Sequence, residues 1–242
     1  MTKKEESSYK KRADGREFDE LRPLRAVVGI VPSADGSALF ETGTTRAIAV
    51  VRGPRTLHPQ HMQDPLKGII RVNYQMMAFS VWDRIKPGTS RRSLEINKVI
   101  EWALSEIVDL TDFPNSVVDV LIQIPQADAG TRVAGLNAAV MALAHAGIPM
   151  KEMLSAVACG KIDKTLVVDV NKEEEDYEEG EGSTDIPLCF GSLTKNIYLL
   201  QLDGKISSKE FKELLKLGQK AAEKIYNVQS EALKNPGKEV RG

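Results

Sequence analysis

Histidine and cysteine are scarce in this 242-residue chain, with three of the first and two of the second. That scarcity narrows the chemistry. Cys159 and Cys189 lie in apolar, strand-like stretches with no partner at metal-ligand spacing, so both read as buried free thiols rather than a disulfide or redox pair. His58 and His61 sit three apart in a proline-containing loop with no third ligand in view, which argues against zinc. His145, near a helix end, reads as a packing or capping residue. Aromatic residues make up only 5% of the chain, which gives little sign of a base-stacking surface and favours recognition of a nucleic-acid backbone over base reading. No apolar run approaches the ~18 residues of a membrane span, and Lys3, Lys4, Lys10 and Lys11 lead into no signal-like apolar segment. A cytoplasmic chain with no membrane partner is the expectation.

Neither a GxGxxG fingerprint nor a Walker loop is present, which disfavours dinucleotide and ATP binding. The net charge of −1 and pI near 6.4 exclude a generally basic surface for nucleic acid. Any RNA contact must therefore be focused, and residues 84–92, with Arg84, Lys86, Arg91 and Arg92, supply such a focus.

The most informative stretch that is present is Gln126-Ala127-Asp128-Ala129-Gly130-Thr131-Arg132. Residues 116–124 run apolar like a buried strand, and 132–146 place Ala, Leu and Met at helical spacing before Gly147 and Pro149. Thr131 is expected as the N-cap. A helix starting here offers free backbone N–H groups, a hydroxyl and a guanidinium to an anion. Arg132 is disfavoured by the partial positive charge of a helix N-terminus, by roughly 0.3–1 kcal/mol at low salt, unless an anion joins it. Arg91 and Arg92 repeat the pattern: Ser90 precedes a helix whose Ile96, Val99, Ile100, Ala103, Leu104 and Ile107 form one apolar stripe. Either motif alone is explained as well by an ordinary ion pair; together they favour an anion site, with phosphate the natural choice.

Along the chain, residues 1–11 read as a mobile tail. Strands are expected over Arg25–Val31, Ser37–Glu41, Thr45–Arg52 and Gly68–Met77, the second and third joined as a hairpin at Thr42-Gly43. After Gly147, residues 150–156 read as a short helix, followed by strands at 156–162, 165–170, 186–191 and 196–202. Ser207-Ser208-Lys209-Glu210 opens a long amphipathic C-terminal helix through a capping box. Runs of strands interrupted by two core helices indicate an α+β fold.

The acidic segment 171–185 reads mainly as a solvated loop. A carboxylate at each mouth of that loop can nevertheless approach a shared point and offer oxygens to a hard divalent cation such as Mg²⁺. Bare acids beside a phosphate repel it by roughly 4 kcal/mol at 4 Å and an effective dielectric of 20. A held metal reverses that sign, and arginines plus a carboxylate-held cation suit displacement at phosphorus.

Together with the Ser90-Arg91-Arg92 helix start, Arg12-Ala13-Asp14-Gly15-Arg16, Glu20-Leu21-Arg22 and Ala34-Asp35-Gly36-Ser37, the Gly-Thr-Arg motif resembles the RNase PH family. The likeness runs from about residue 12 to 234 as one RNase PH-like domain, leaving 235–242 as a C-terminal tail. It is strongest to the catalytic RNase PH-like subunits of archaeal exosomes. The resemblance implies phosphate-dependent 3′→5′ degradation of RNA to nucleoside diphosphates, with RNA tailing as the reverse reaction. It further implies inorganic phosphate as co-substrate, Mg²⁺ or Mn²⁺ as cofactor, and single-stranded RNA as substrate. A hexameric ring of three heterodimers with a related non-catalytic subunit, and RNA-binding cap subunits, follow from the same resemblance.

Carried over by position, Gly130, Thr131, Arg132 and Arg92 would hold phosphate, and Arg91 and Arg92 the RNA backbone. Asp176 and Asp185 would be the acids and metal ligands, with Asp176 the candidate general acid and Glu175 the alternative at its position. The spacing between the acids is a few residues longer than in relatives. Gln60 stands where an arginine often follows His-Pro in the loop expected to line the ring's pore, so RNA contact there is expected either to be weaker or to shift to Lys67. Two rivals remain at this level: a non-catalytic ring subunit that binds RNA, and a self-assembling RNase PH that trims tRNA 3′ ends. Retention of both acids and of Gly-Thr-Arg favours catalysis over the first.

Overall fold

The computed structural model describes residues 9–242. Of the tail expected over 1–11, the first eight residues lie outside the described ones, whereas the Tyr9 hydroxyl donates to Glu174 at 2.7 Å.

The chain forms an α+β fold of two sheets. The first has six strands, β1 (Leu24–Val28), β2 (Gly36–Thr42), β3 (Thr45–Thr56), β4 (Ile69–Met76), β5 (Ser116–Gln126) and β10 (Val240–Arg241), in the order β10-β1-β2-β3-β5-β4. All neighbours run antiparallel except β4 and β5. That parallel pair needs a crossover, which α1 (Arg91–Ile107) provides. The second sheet is antiparallel, with β6 (Leu154–Ile162), β7 (Thr165–Val168), β8 (Ser183–Gly191) and β9 (Ile197–Leu200) in the order β7-β6-β8-β9. Residues 235–242, expected as a C-terminal tail, follow the edge of the first sheet, where Val240 pairs with Ala26.

Between the sheets lies α2 (Thr131–His145), whose residues from Val133 to Leu143 are all buried. A helix apolar on every side has to sit between two layers; Ala-rich composition lets both sheets approach it closely. Gly36 marks the tightest point, because a Cβ there would collide with the Ala142 carbonyl and with Ala146. Across the second sheet runs α4 (Ser208–Lys234), opened by the Ser207–Glu210 capping box and burying Leu214, Ala221, Ile225 and Val228. Each fully buried Leu, Ile or Met contributes roughly 1.5–3 kcal/mol relative to exposure.

Three local expectations are corrected. Thr131 is not the N-cap: Gly130 is, in the left-handed region at φ 62°, and Thr131 is the first helical residue. Residues 150–156 do not form a helix; Met150 makes an isolated bridge with Val108 and β6 begins at Leu154. Glu152 is instead tied to the second sheet, its carboxylate accepting from Leu193 N, Thr194 N, Thr194 Oγ1 and Tyr198 Oη, which holds residues 151–152 in a bend. Lastly, the acidic loop contains a single helical turn, α3 (Lys172–Glu175), closed by a reciprocal Asn171–Glu174 capping box.

Candidate active site

Two helix starts face one cleft. At α2 the N-cap is a glycine without a side-chain oxygen, so the first N–H groups of the helix receive no side-chain cap, and no acid stands in the first turn. Thr131 is buried, and its Oγ1 accepts from the Tyr74 hydroxyl at 2.8 Å, which orients it. Arg132 reaches 3.7 Å from Glu95 through Nη2, while its buried Nε has no hydrogen-bond partner among the described residues. A buried guanidinium N–H left unpaired points to a missing acceptor. At α1, Ser90 and Ser93 cap one another, again with no acid in the first turn. Arg92 follows one residue inside.

Opposite the arginines stand carboxylates from the second sheet. Asp185 is held in β8, opposite Gly160 of β6, and its backbone exchanges hydrogen bonds with Asp203 at 3.0 and 2.9 Å. Burial, followed by the nearby charge of Glu175, pushes the Asp185 carboxyl up to about 6; Arg132 and Arg92 pull in the opposite direction. Glu175 reaches the cleft from the end of α3, and its carbonyl accepts from Ser183 Oγ at 2.6 Å, tying the turn to β8.

The resulting cleft has a volume of about 380 Å³ and is lined by Arg92, Glu95, Arg132, Glu175, Asp185, Pro187, Gln201, Leu202 and Asp203. Arg92, Arg132 and Asp185 thus come together from three separate elements. Asp176 does not join them: its side chain is largely exposed and bound to Lys172 Nζ at 2.6 Å. Glu175 faces the cleft in its place, because consecutive residues of a helical turn point about 100° apart. Arg91 is exposed and outside the lining. Lys67 borders a different cleft of about 570 Å³, with Glu101, Asp109 and Lys151.

Sequence reasoning missed Glu95, Gln201 and Asp203. Glu95 lies three residues after Arg92 on α1, hence on the same face, a signal that was available. Gln201 and Asp203 follow a strand whose pairing with β8 only the fold reveals.

The donor chemistry suits a hard divalent cation. Asp185 and Glu175 offer carboxylate oxygens, and no cluster of three or more His, Cys, Asp or Glu side chains with metal-ligand geometry occurs among the described residues. Glu95 and Asp203 add two further carboxylates to the same lining.

Residues 20–149 match domain 1, and residues 152–221 domain 2, of the 3′ exoribonuclease family, RNase PH. The chain belongs to this family. Among its relatives, the exosome complex component Rrp41 of Thermococcus kodakarensis is 50% identical over 224 residues, covering 93% of this chain and 88% of that protein. Rrp41 of Archaeoglobus fulgidus is 45% identical, with 92% and 86% covered. Rice Rrp46 superposes with a TM-score of 0.82 at 26% identity, covering 93% of this chain and all of the other. A chain of the Archaeoglobus fulgidus exosome with RNA bound to the active site gives 0.75 at 25% identity, covering 90% and 92%.

Proposed function

We infer that this chain is a catalytic, phosphate-dependent 3′→5′ exoribonuclease subunit of an exosome ring. The observation that carries this reading is the meeting of Arg92, Arg132, Glu175 and Asp185 in one cleft. Kinship with the Rrp41 proteins and with a chain of an exosome that has RNA bound to its active site supports it.

In this mechanism the α2 start, with Gly130, Thr131 and Arg132, receives inorganic phosphate, and the unpaired Nε of Arg132 gains an acceptor. Arg92 neutralises the scissile phosphodiester, and Arg91 at the rim meets the RNA backbone. A phosphate oxygen forms a bond to the terminal phosphorus while the bond to the 3′-oxygen of the preceding nucleotide breaks. The terminal residue departs as a nucleoside 5′-diphosphate, and the 3′-oxygen takes up a proton. Asp185 faces this cleft beside Arg92 and Arg132 and is the carboxyl placed to exchange that proton. Asp185 and Glu175 would hold Mg²⁺ or Mn²⁺, which supplies positive charge against the phosphoryl oxygens. Asp176 stays outside this pair, bonded to Lys172.

Single-stranded RNA is the substrate, Lys67 contacts it away from the cleft, and a related non-catalytic subunit completes a hexameric ring beneath RNA-binding caps. The test is incubation of the chain, alone and with such a partner, with oligo(A), Mg²⁺ and phosphate. Phosphate-dependent ADP release supports the reading, and AMP release without phosphate overturns it.

A further inference from the structure

Asp128 lies two residues ahead of Gly130, at the end of the first sheet, and the reading above gives it no role. Every polar group it carries is engaged. Its N–H donates to Thr45 Oγ1 at 2.9 Å, and its carbonyl accepts from Arg22 Nη1 at 2.6 Å. One carboxylate oxygen accepts from Thr44 Oγ1 at 2.6 Å. The other accepts the backbone N–H of Lys172 at 3.1 Å. Lys172 is the first residue of α3, the turn that carries Glu175.

The α3 capping box satisfies the N–H groups of Asn171 and Glu174, which leaves the Lys172 N–H as a helix-start donor in need of an outside acceptor. Asp128 is that acceptor. Arg22 reinforces the link: it bonds both oxygens of Asp169 at 3.0 and 2.8 Å while also holding the Asp128 carbonyl. The turn so fixed is demanding, since Ala129 and Gly130 have φ values of 53° and 62° and Asp169 one of 56°. A non-glycine residue in that region is disfavoured and persists only when its surroundings fix it.

We propose that Asp128 is a positioning residue whose carboxylate sets the spacing between the phosphate-receiving turn at 128–130 and the acid turn that presents Glu175. The two turns leave different sheets, one after β5 and the other after β7, so their separation is not dictated by either sheet's hydrogen bonding. The proposal rests on the cleft being the phosphorolytic site.

Proline at position 172 tests the link directly. A first helical position accepts proline, and Asn171 before it is already extended at φ −93° and ψ 178°. Lys172→Pro therefore removes the N–H that Asp128 accepts, and Lys172→Ala controls for the lost side chain. In the assembled ring, Lys172→Pro is expected to raise half-saturating phosphate about tenfold over Lys172→Ala, the scale of a small misplacement near the reacting atoms. RNA affinity measured without phosphate stays equal in the two. A merely structural loss lowers the active fraction and moves neither quantity. Asp128→Asn keeps an oxygen for the Lys172 N–H and is expected to retain near-native phosphate dependence, while Asp128→Ala reproduces the proline variant. Equal half-saturation for proline and alanine at 172 overturns the proposal; should the proline chain fail to fold, equality of Asp128→Asn and Asp128→Ala does so. Asp185→Asn separates the layers: if it leaves turnover intact the site reading fails, whereas if it abolishes turnover and the 172 pair agree, only the positioning role fails.

Discussion

Glu175 stands beside Asp185, and after burial its negative charge is the largest influence lifting the Asp185 carboxyl to about 6. The pairing assigns different outcomes to neighbouring acids. Asp185→Asn is expected to lower turnover by about 10²–10⁴-fold, the range for a positioned proton donor, with RNA binding kept. Glu175→Gln is expected to reduce turnover clearly and to raise the Mg²⁺ needed for half-maximal rate. Asp176→Asn, altering a side chain bonded to Lys172 on the outer side, is expected to leave both near native. Phosphorolysis assays over a Mg²⁺ titration decide among them, and an inactive Asp176→Asn beside an active Glu175→Gln contradicts the assignment.

The raised Asp185 carboxyl also has a stability consequence. Its ordinary value is 3.8 and its folded value about 6, so above both the folded state carries an ionised group it disfavours. The cost is absent below pH 3.8, grows as pH rises between the two values, and is complete above the upper one, at about 3 kcal/mol. Asp185→Asn removes it. In metal-free, phosphate-free buffer this variant is expected to melt higher than the parent at pH 7.5, with the advantage shrinking towards pH 4. Urea unfolding at the two pH values measures the difference; an equal advantage at both refutes this origin.

Much of the α+β fold was legible because hydrophobic period and capping residues are local signals. Ser90 before Ile96, Ile100 and Leu104 foretold α1, and Ser207 with Glu210 foretold α4. The arginines at both helix starts stood out for a related reason, a cation in a first helical turn violating the usual charge preference, and the fold brings Arg92 and Arg132 into one cleft. The failures were tertiary. Residues 150–156 look helical in isolation, and the bonds from 193, 194 and 198 to Glu152, which hold a bend leading into β6, are not local signals. Choosing Glu175 or Asp176 required the phase of α3, which its capping box sets and an acidic run of uniform character conceals.

Arg91 and Arg92 are adjacent in sequence but differ in setting, since Arg92 lines the cleft and Arg91 is exposed outside it. Replacing both by alanine is expected to weaken RNA binding and flatten its salt dependence. Each RNA phosphate that goes unneutralised reduces the log–log slope by about 0.7 for a single strand. Arg92→Ala alone is expected to slow turnover as well, whereas Arg91→Ala alone changes affinity more than rate. Filter binding of oligo(A) across salt concentrations, paired with turnover at saturating RNA, tests the division. Identical behaviour of the two single variants contradicts it.

Arg12 and Glu174 form a buried, two-pronged ion pair at 2.7 and 2.8 Å, with the guanidinium wholly inaccessible to solvent. The other Arg12 donors reach the carbonyls of Val168 at 2.8 Å and Asp169 at 2.7 Å, so one side chain ties the N-terminal segment to the root of the acid turn. Removing one partner of such a pair strands a buried charge, and Arg12→Ala is expected to cost about 3–5 kcal/mol. Lysine does not rescue it, because a point ammonium cannot present the planar fork that meets both Glu174 oxygens and the two carbonyls. The exposed pair of Lys98 and Glu101 at 2.6 Å is the contrast: Lys98→Ala is expected to change stability by under about 1 kcal/mol. Urea unfolding of the three variants measures both effects. Comparable losses at Arg12 and Lys98 contradict the ranking, and with it the view that the N-terminal arginine anchors the acidic side of the cleft.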